Sequence, residues 1–303
     1  MLLASPVILA SPAGANVALY TVPTPNSAPE SVTVGPDGNI WFTEAQGNKI
    51  GRLAAAGKIS EFPVPTPNSR PQGITPGPDG NLWFTESQGN KIGRITPSGA
   101  ITEYPVAIPQ SYPFGITAGP DEALWFTSAV ASTIGRISIS GQLRYFRLAK
   151  TVTPYGIARG PDNNLWFTGF SSNTIGRITP AGGIMEFPLT GSAAEPFNIA
   201  AGPDGALWFT EPGTNSIGRI TIEGRVTVFS LPAGGQKPYG ITPARGGLWF
   251  TLHLGGKIGR IGLSGITTEI EIPNVRILKG ITAASDGTIW FAAASANSIG
   301  RYR

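Results

Sequence analysis

Short apolar runs, each closed by Gly, Pro, Asn or Asp, follow one another along almost the entire chain. They carry β-branched and aromatic residues and are too short for helices, so they predict strands joined by tight turns. Residues 71–105 show the unit. Gly73-Ile74-Thr75 begins a strand a, and Gly77-Pro78-Asp79-Gly80 turns the chain into a strand b over residues 81–85. A short loop leads to a strand c over residues 91–95, and Pro97-Ser98-Gly99 turns into a strand d over residues 101–105. The unit recurs. Tryptophan falls at 41, 83, 125, 166, 208, 249 and 290, each followed by Phe, and eleven residues later comes the arginine of an Ile-Gly-Arg tripeptide. A spacing near 42 residues with four strands per repeat is the mark of a propeller, one blade per repeat. Seven repeats predict an all-β, seven-bladed propeller of four-stranded antiparallel blades over residues 16–303.

The hairpin between strands b and c gives the repeated residues mechanical roles. If Glu86 opposes Lys91, then Phe84 opposes Gly93 and Trp83 opposes Arg94. Gly93 leaves room for the Phe84 ring, and Arg94 lies along the indole. Glu44 and Glu86 are expected to pair with Lys49 and Lys91 across the hairpin. In other blades the acid position holds Ser128, Gly169 or Ala293, opposite Thr133, Thr174 or Ser298. Glu211 occupies the same position in the fifth blade. The aspartates of the Gly-Pro-Asp-Gly turns are turn formers on the opposite face. The seventh repeat stops at Arg303 without its own strand d, while residues 16–23 match the strand-d pattern. The N-terminal strand is therefore expected to close the ring.

Composition narrows the function classes. The net charge of +4 is spread through the repeats rather than clustered on one face, which argues against nucleic-acid binding. With no cysteine, thiol and disulfide chemistry drop out. Residues 1–15 are small and apolar and end in Ala-Gly-Ala, but lack a basic start; they read as an incomplete secretory signal and favour an extracytoplasmic protein over a cytoplasmic one. They are too short and too broken by proline to span a bilayer. A monomer is expected.

The phrases Gly-Pro-Asp-Gly-Asn-Leu-Trp-Phe-Thr-Glu, Gly-Asn-Lys-Ile-Gly-Arg-Ile-Thr and Ile-Thr-Glu-Tyr-Pro closely resemble the virginiamycin B lyase family over about residues 16–303. The resemblance implies a magnesium-dependent elimination that opens the ester of cyclic depsipeptide antibiotics, with a histidine base and acidic metal ligands. Position by position, the set is substituted. Lys279 stands at the base, Ile277 and Ala294 at the two acids, Tyr239 at a second histidine and Glu30 at a tyrosine. No cofactor is expected; magnesium enters only if the lyase alternative holds.

The residue before each Gly-Ile-Thr or its equivalent forms another set: Glu30, Gln72, Phe114, Tyr155, Phe197, Tyr239 and Lys279. In a closed ring these surround the channel mouth, on the face of the d–a and b–c loops. They make either an apolar plug or a stacking platform beside a charge pair. His253, the single histidine, falls in the b–c loop of the sixth blade at the edge of that face. The expectation is a propeller that binds a small-molecule or protein ligand at the mouth without the family's catalytic set. Two alternatives stay open: an active carbon–oxygen lyase, and a protein-interaction scaffold.

Overall fold

The computed structural model describes residues 7–10, 16–149, 151–191, 193–232 and 236–303. Its strands form seven antiparallel sheets. In the second blade Pro71–Pro76, Leu82–Glu86, Lys91–Ile95 and Ile101–Pro105 are strands a to d. The other blades repeat this order, and the helical content among the described residues is one turn, Ala294–Ala296. No helix among them is long and apolar enough to cross a membrane.

The ring closes through the N-terminus. Asn16–Thr21 pairs antiparallel with Ser298–Tyr302 as the outer strand of the seventh blade, with Leu19 opposite Gly300. Val7–Ala10 adds a fifth strand outside it. The rest of the signal-like segment, residues 1–6 and 11–15, lies outside the described residues.

The b–c register is the expected one: Trp83 faces Arg94, Phe84 faces Gly93 and Glu86 faces Lys91. A Cβ on Gly93 would come within 2.1 Å of the Phe84 ring, so glycine is the residue that fits. Each tryptophan packs against the next blade. Trp83 shares a core with Phe126 and Leu124 of the third blade, and Trp166 shares one with Phe209 and Leu207 of the fifth. These indoles are fully buried. At about 25 cal/mol per Å², burying a side chain of this size contributes up to roughly 4–6 kcal/mol. In five blades the arginine lies over its own blade's indole, 5.7 Å away for Arg94 on Trp83.

The turn aspartates do more than turn the chain. Trp41, Trp83, Trp125, Trp166 and Trp208 each donate their indole N–H to the aspartate four residues earlier, at 2.9–3.0 Å. The other oxygen of Asp121 and of Asp204 accepts from Arg136 and Arg219 at 2.6 and 2.7 Å. Burial would raise the pKa of these carboxyls, but the hydrogen bonds outweigh it and hold them below the usual range.

The expected Glu–Lys pairs do not form. Glu44 and Lys49 are opposite in register, yet Lys49 Nζ bonds Glu61 of strand d at 3.0 Å, and Lys91 likewise takes Glu103 at 2.7 Å. Glu61 also accepts from the N–H and hydroxyl of Thr24. It keeps some contact with solvent and is the cheaper carboxyl to ionise. Glu44 and Glu86 are fully buried, and their oxygens have no donor. Burial, helped by the charge of Glu61 or Glu103, pushes both up to about 8. Glu211 is raised by burial too, against a hydroxyl bond from Thr214.

Candidate functional site

The mouth residues open the inner strands, and buried threonines fix them there. The Oγ1 of Thr43 donates to the carbonyl of Gln72 at 2.7 Å, Thr85 to Phe114 at 2.6 Å and Thr127 to Tyr155 at 2.8 Å. Thr168, Thr210 and Thr251 hold the carbonyls of Phe197, Tyr239 and Lys279 in the same way. Each of these hydroxyls also accepts an N–H from its own inner strand, Gly73 to Thr85 at 3.0 Å for example. Thr thus ties two blades and sets where the next mouth side chain stands. The seventh blade has Ala292 at this position, and there the Glu30 carbonyl takes the Gly280 N–H directly at 2.8 Å.

Six of the eight expected residues line one cavity of about 120 Å³ at the channel: Glu30, Gln72, Phe114, Tyr155, Phe197 and Tyr239. The rings pack on one another rather than lying open. Phe114 and Tyr155 meet edge to face at 4.9 Å, and Phe197 and Tyr239 are tilted at 4.4 Å. They form a wall of mutually supporting rings. At about 120 Å³ the cavity is somewhat smaller than one of about 150 Å³ that holds benzene.

Glu30, Tyr239 and Lys279 form one polar unit across the first, sixth and seventh blades. Glu30 is 5% exposed; its Oε1 accepts from the Tyr239 hydroxyl at 2.6 Å, and its Oε2 pairs with Lys279 Nζ. Burial, together with the charge and hydrogen bond of Glu30, raises the Tyr239 pKa well above its ordinary value. His253 and Lys279 stand behind the lining. The imidazole stacks on Tyr239 at 5.0 Å and 21°. Its Nδ1 is 3.0 Å from the Leu278 carbonyl, which requires the hydrogen on Nδ1. Burial lowers the His253 pKa; the Leu278 bond opposes this and the Lys279 charge adds to it. The ring is thus neutral near pH 7.

Sequence reasoning missed three contributors. Phe170, in the b–c loop of the fourth blade, packs edge-on against Tyr155 at 5.3 Å. Asn198 stands where five of the other blades have glycine after the mouth residue (the first has Ser31) and lines the cavity, a break in the Gly-Ile-Thr pattern visible in the sequence. The threonine ties were visible only as part of the Trp-Phe-Thr repeat.

The donor set does not suit magnesium. Ile277 and Ala294 offer no side-chain oxygen, both oxygens of Glu30 are engaged, and no group of three or more His, Cys, Asp or Glu comes together among the described residues.

A sequence profile described as the virginiamycin B lyase family matches residues 8–247 and 120–303. A solved streptogramin B lyase superposes with a TM-score of 0.92 at 37% identity, covering 95% of this chain and 97% of the other. A catalytically inactive histidine-to-alanine variant of the Staphylococcus aureus virginiamycin B lyase, solved with quinupristin, gives 0.90 at 39% identity over 95% and 99%. A curated virginiamycin B lyase from Bacillus licheniformis is 52% identical over 40 residues, which is 13% of this chain and 14% of that protein.

Proposed function

The chain belongs to the virginiamycin B lyase family, and from that premise we propose a propeller that binds a ligand at its channel mouth without opening esters by the family's elimination. One observation carries the proposal: Glu30 occupies both Tyr239 and Lys279, the residues standing where the resemblance places histidines. A general base needs a lone pair within reach of the proton it takes. The Lys279 ammonium is engaged by a carboxylate, and the Tyr239 proton is held by the same group. Elimination also needs a Lewis acid or equivalent to take up charge on the leaving ester, and the donor set argues against one here.

What the mouth offers instead is recognition. Four aromatic walls and the Gln72 amide face a cavity sized for one ring or branched apolar group, and such edge-lined pockets suit single aromatic groups. Two assays test this. Incubation with quinupristin and magnesium should yield no linear product, and magnesium-dependent opening would overturn the proposal. Calorimetric titration with p-cresol and indole should show binding that a Tyr155→Ala, Tyr239→Ala double variant loses while keeping its fold. Unchanged affinity in that variant would also overturn it.

A further inference from the structure

The face opposite the mouth is regular through the first five blades and breaks in the last two. The regularity has a steric cause. A Cβ on Gly35, Gly77, Gly119, Gly160 or Gly202 would stand 2.4–2.5 Å from the Cδ1 of the tryptophan that follows. Only glycine at this position lets the indole N–H reach its aspartate. The seventh blade has Ala284 there, and its methyl takes the space where indole and carboxylate would meet. Trp290 is accordingly only half-buried, whereas the indoles of the first five blades are fully buried. Asp286 keeps the turn bond from the Thr288 N–H at 2.9 Å and turns its other oxygen to Arg303 at 3.6 Å.

Arg301, the arginine of the seventh Ile-Gly-Arg, has no carboxylate partner among the described residues. Its guanidinium lies over Tyr20 and Trp290 at 5.7 and 5.9 Å, and its Nε is buried without a partner. In the third and fifth blades the equivalent arginines bond their aspartates at 2.6 and 2.7 Å. A guanidinium nitrogen kept from water without a partner is costly, and a fork of N–H donors is the group best matched to a planar anion.

This unpaired cation opens onto a cavity of about 210 Å³ at the junction of the seventh and first blades. Val34, Ile40 and Leu53 supply its apolar wall, and Trp290, Arg301 and Arg303 the other side; the acid in the lining is Asp286, already turned to Arg303. We propose that this junction is a second binding site, separate from the mouth, for a small organic anion: a carboxylate or phosphate carried on one aromatic ring. The ring would lie against Trp290 and the aliphatic wall, and the anion would take the Arg301 fork.

The test is calorimetric titration with benzoate, phenyl phosphate and the neutral benzamide. At least one anion should bind tenfold or more tighter than benzamide, and the stronger of the two identifies the anionic group. Arg301→Gln should cost that anion at least tenfold in affinity. Ala284→Gly is the second variant: it frees the space for Trp290 and Asp286 to meet as in the other blades, so the site should close and binding vanish with the melting temperature kept or raised. The Tyr155→Ala, Tyr239→Ala variant should leave anion binding untouched, separating this site from the mouth. Equal affinity for benzamide and both anions, or anion binding unchanged in Arg301→Gln and Ala284→Gly, would overturn the proposal.

Discussion

Replacing Glu44 and Glu86 with glutamine should stabilise the protein, and do so far more at pH 8 than at pH 5. Both carboxyls are fully buried without a donor, beside the ionised Glu61 and Glu103. Burial first, and the neighbouring carboxylate second, push them from 4.5 up to about 8. The sign follows from linkage: a carboxyl whose folded pKa is raised contributes fully below the unfolded value and loses that contribution as pH rises toward the folded value. The window runs from 4.5 to about 8. The loss is about 1.4 kcal/mol per pH unit for each group, so about 4 kcal/mol between pH 5 and pH 8 as an upper limit. Water entry and local relaxation reduce this to about 2–4 kcal/mol. For a chain of this length that is about 3–6 °C in melting temperature per site. Glutamine keeps the shape of the neutral acid and offers an N–H donor in place of its O–H, but cannot ionise. Glu61 and Glu103 are held low, so their own stabilising contribution fades below 4.5, outside this window. The assay is thermal unfolding of wild type, both single variants and the double variant from pH 5 to pH 9. An equal gain at every pH, or a loss at pH 8, would refute the reasoning, because either result means these carboxyls are not held neutral.

Deleting residues 1–21 removes the strand that pairs with Ser298–Tyr302 and should lower the melting temperature by more than 10 °C, an order-of-magnitude figure for losing an outer strand and its buried Val17 and Leu19; melting like the full chain would count against closure by pairing. Thr210→Val removes the hydroxyl that holds the Tyr239 carbonyl and should cost about 1–2 kcal/mol in urea unfolding while weakening indole binding at the mouth. Full binding in a destabilised Thr210→Val would mean that the tie supports the ring but not the side chain beside it.

Periodicity carried the architecture because every blade solves the same packing problem. The Trp83–Arg94 and Phe84–Gly93 register followed from hairpin geometry alone, and the closure followed from a strand-d pattern standing at the wrong end of the chain. The ion pairs were not legible for the same reason that the register was. Register states which residues oppose each other, but a lysine Nζ on a flexible stem chooses among several acids by solvation. Lys49 had Glu44 across the hairpin and Glu61 on the next strand, and it took the one nearer water. At the mouth, the sequence placed Glu30 and Lys279 side by side through closure but could not show that Tyr239 joins them from the sixth blade. The consequence of Ala284 depends on the position of the indole, which only the structure supplies.

Ring closure also sets a timetable. The strand at residues 16–21 leaves the ribosome before any blade exists, and its partner strand is made nearly 280 residues later. Until then an unpaired edge must wait, and the six intermediate blades can stack as an open arc. Contacts of such sequence separation slow folding, although the entropy of closing so long a loop grows only logarithmically with its length. Moving that strand to follow Arg303 would make the seventh blade contiguous and turn the strand pairing of longest sequence separation into a local hairpin. In the native order, a chain lacking either of these strands leaves the seventh blade without its outer pairing.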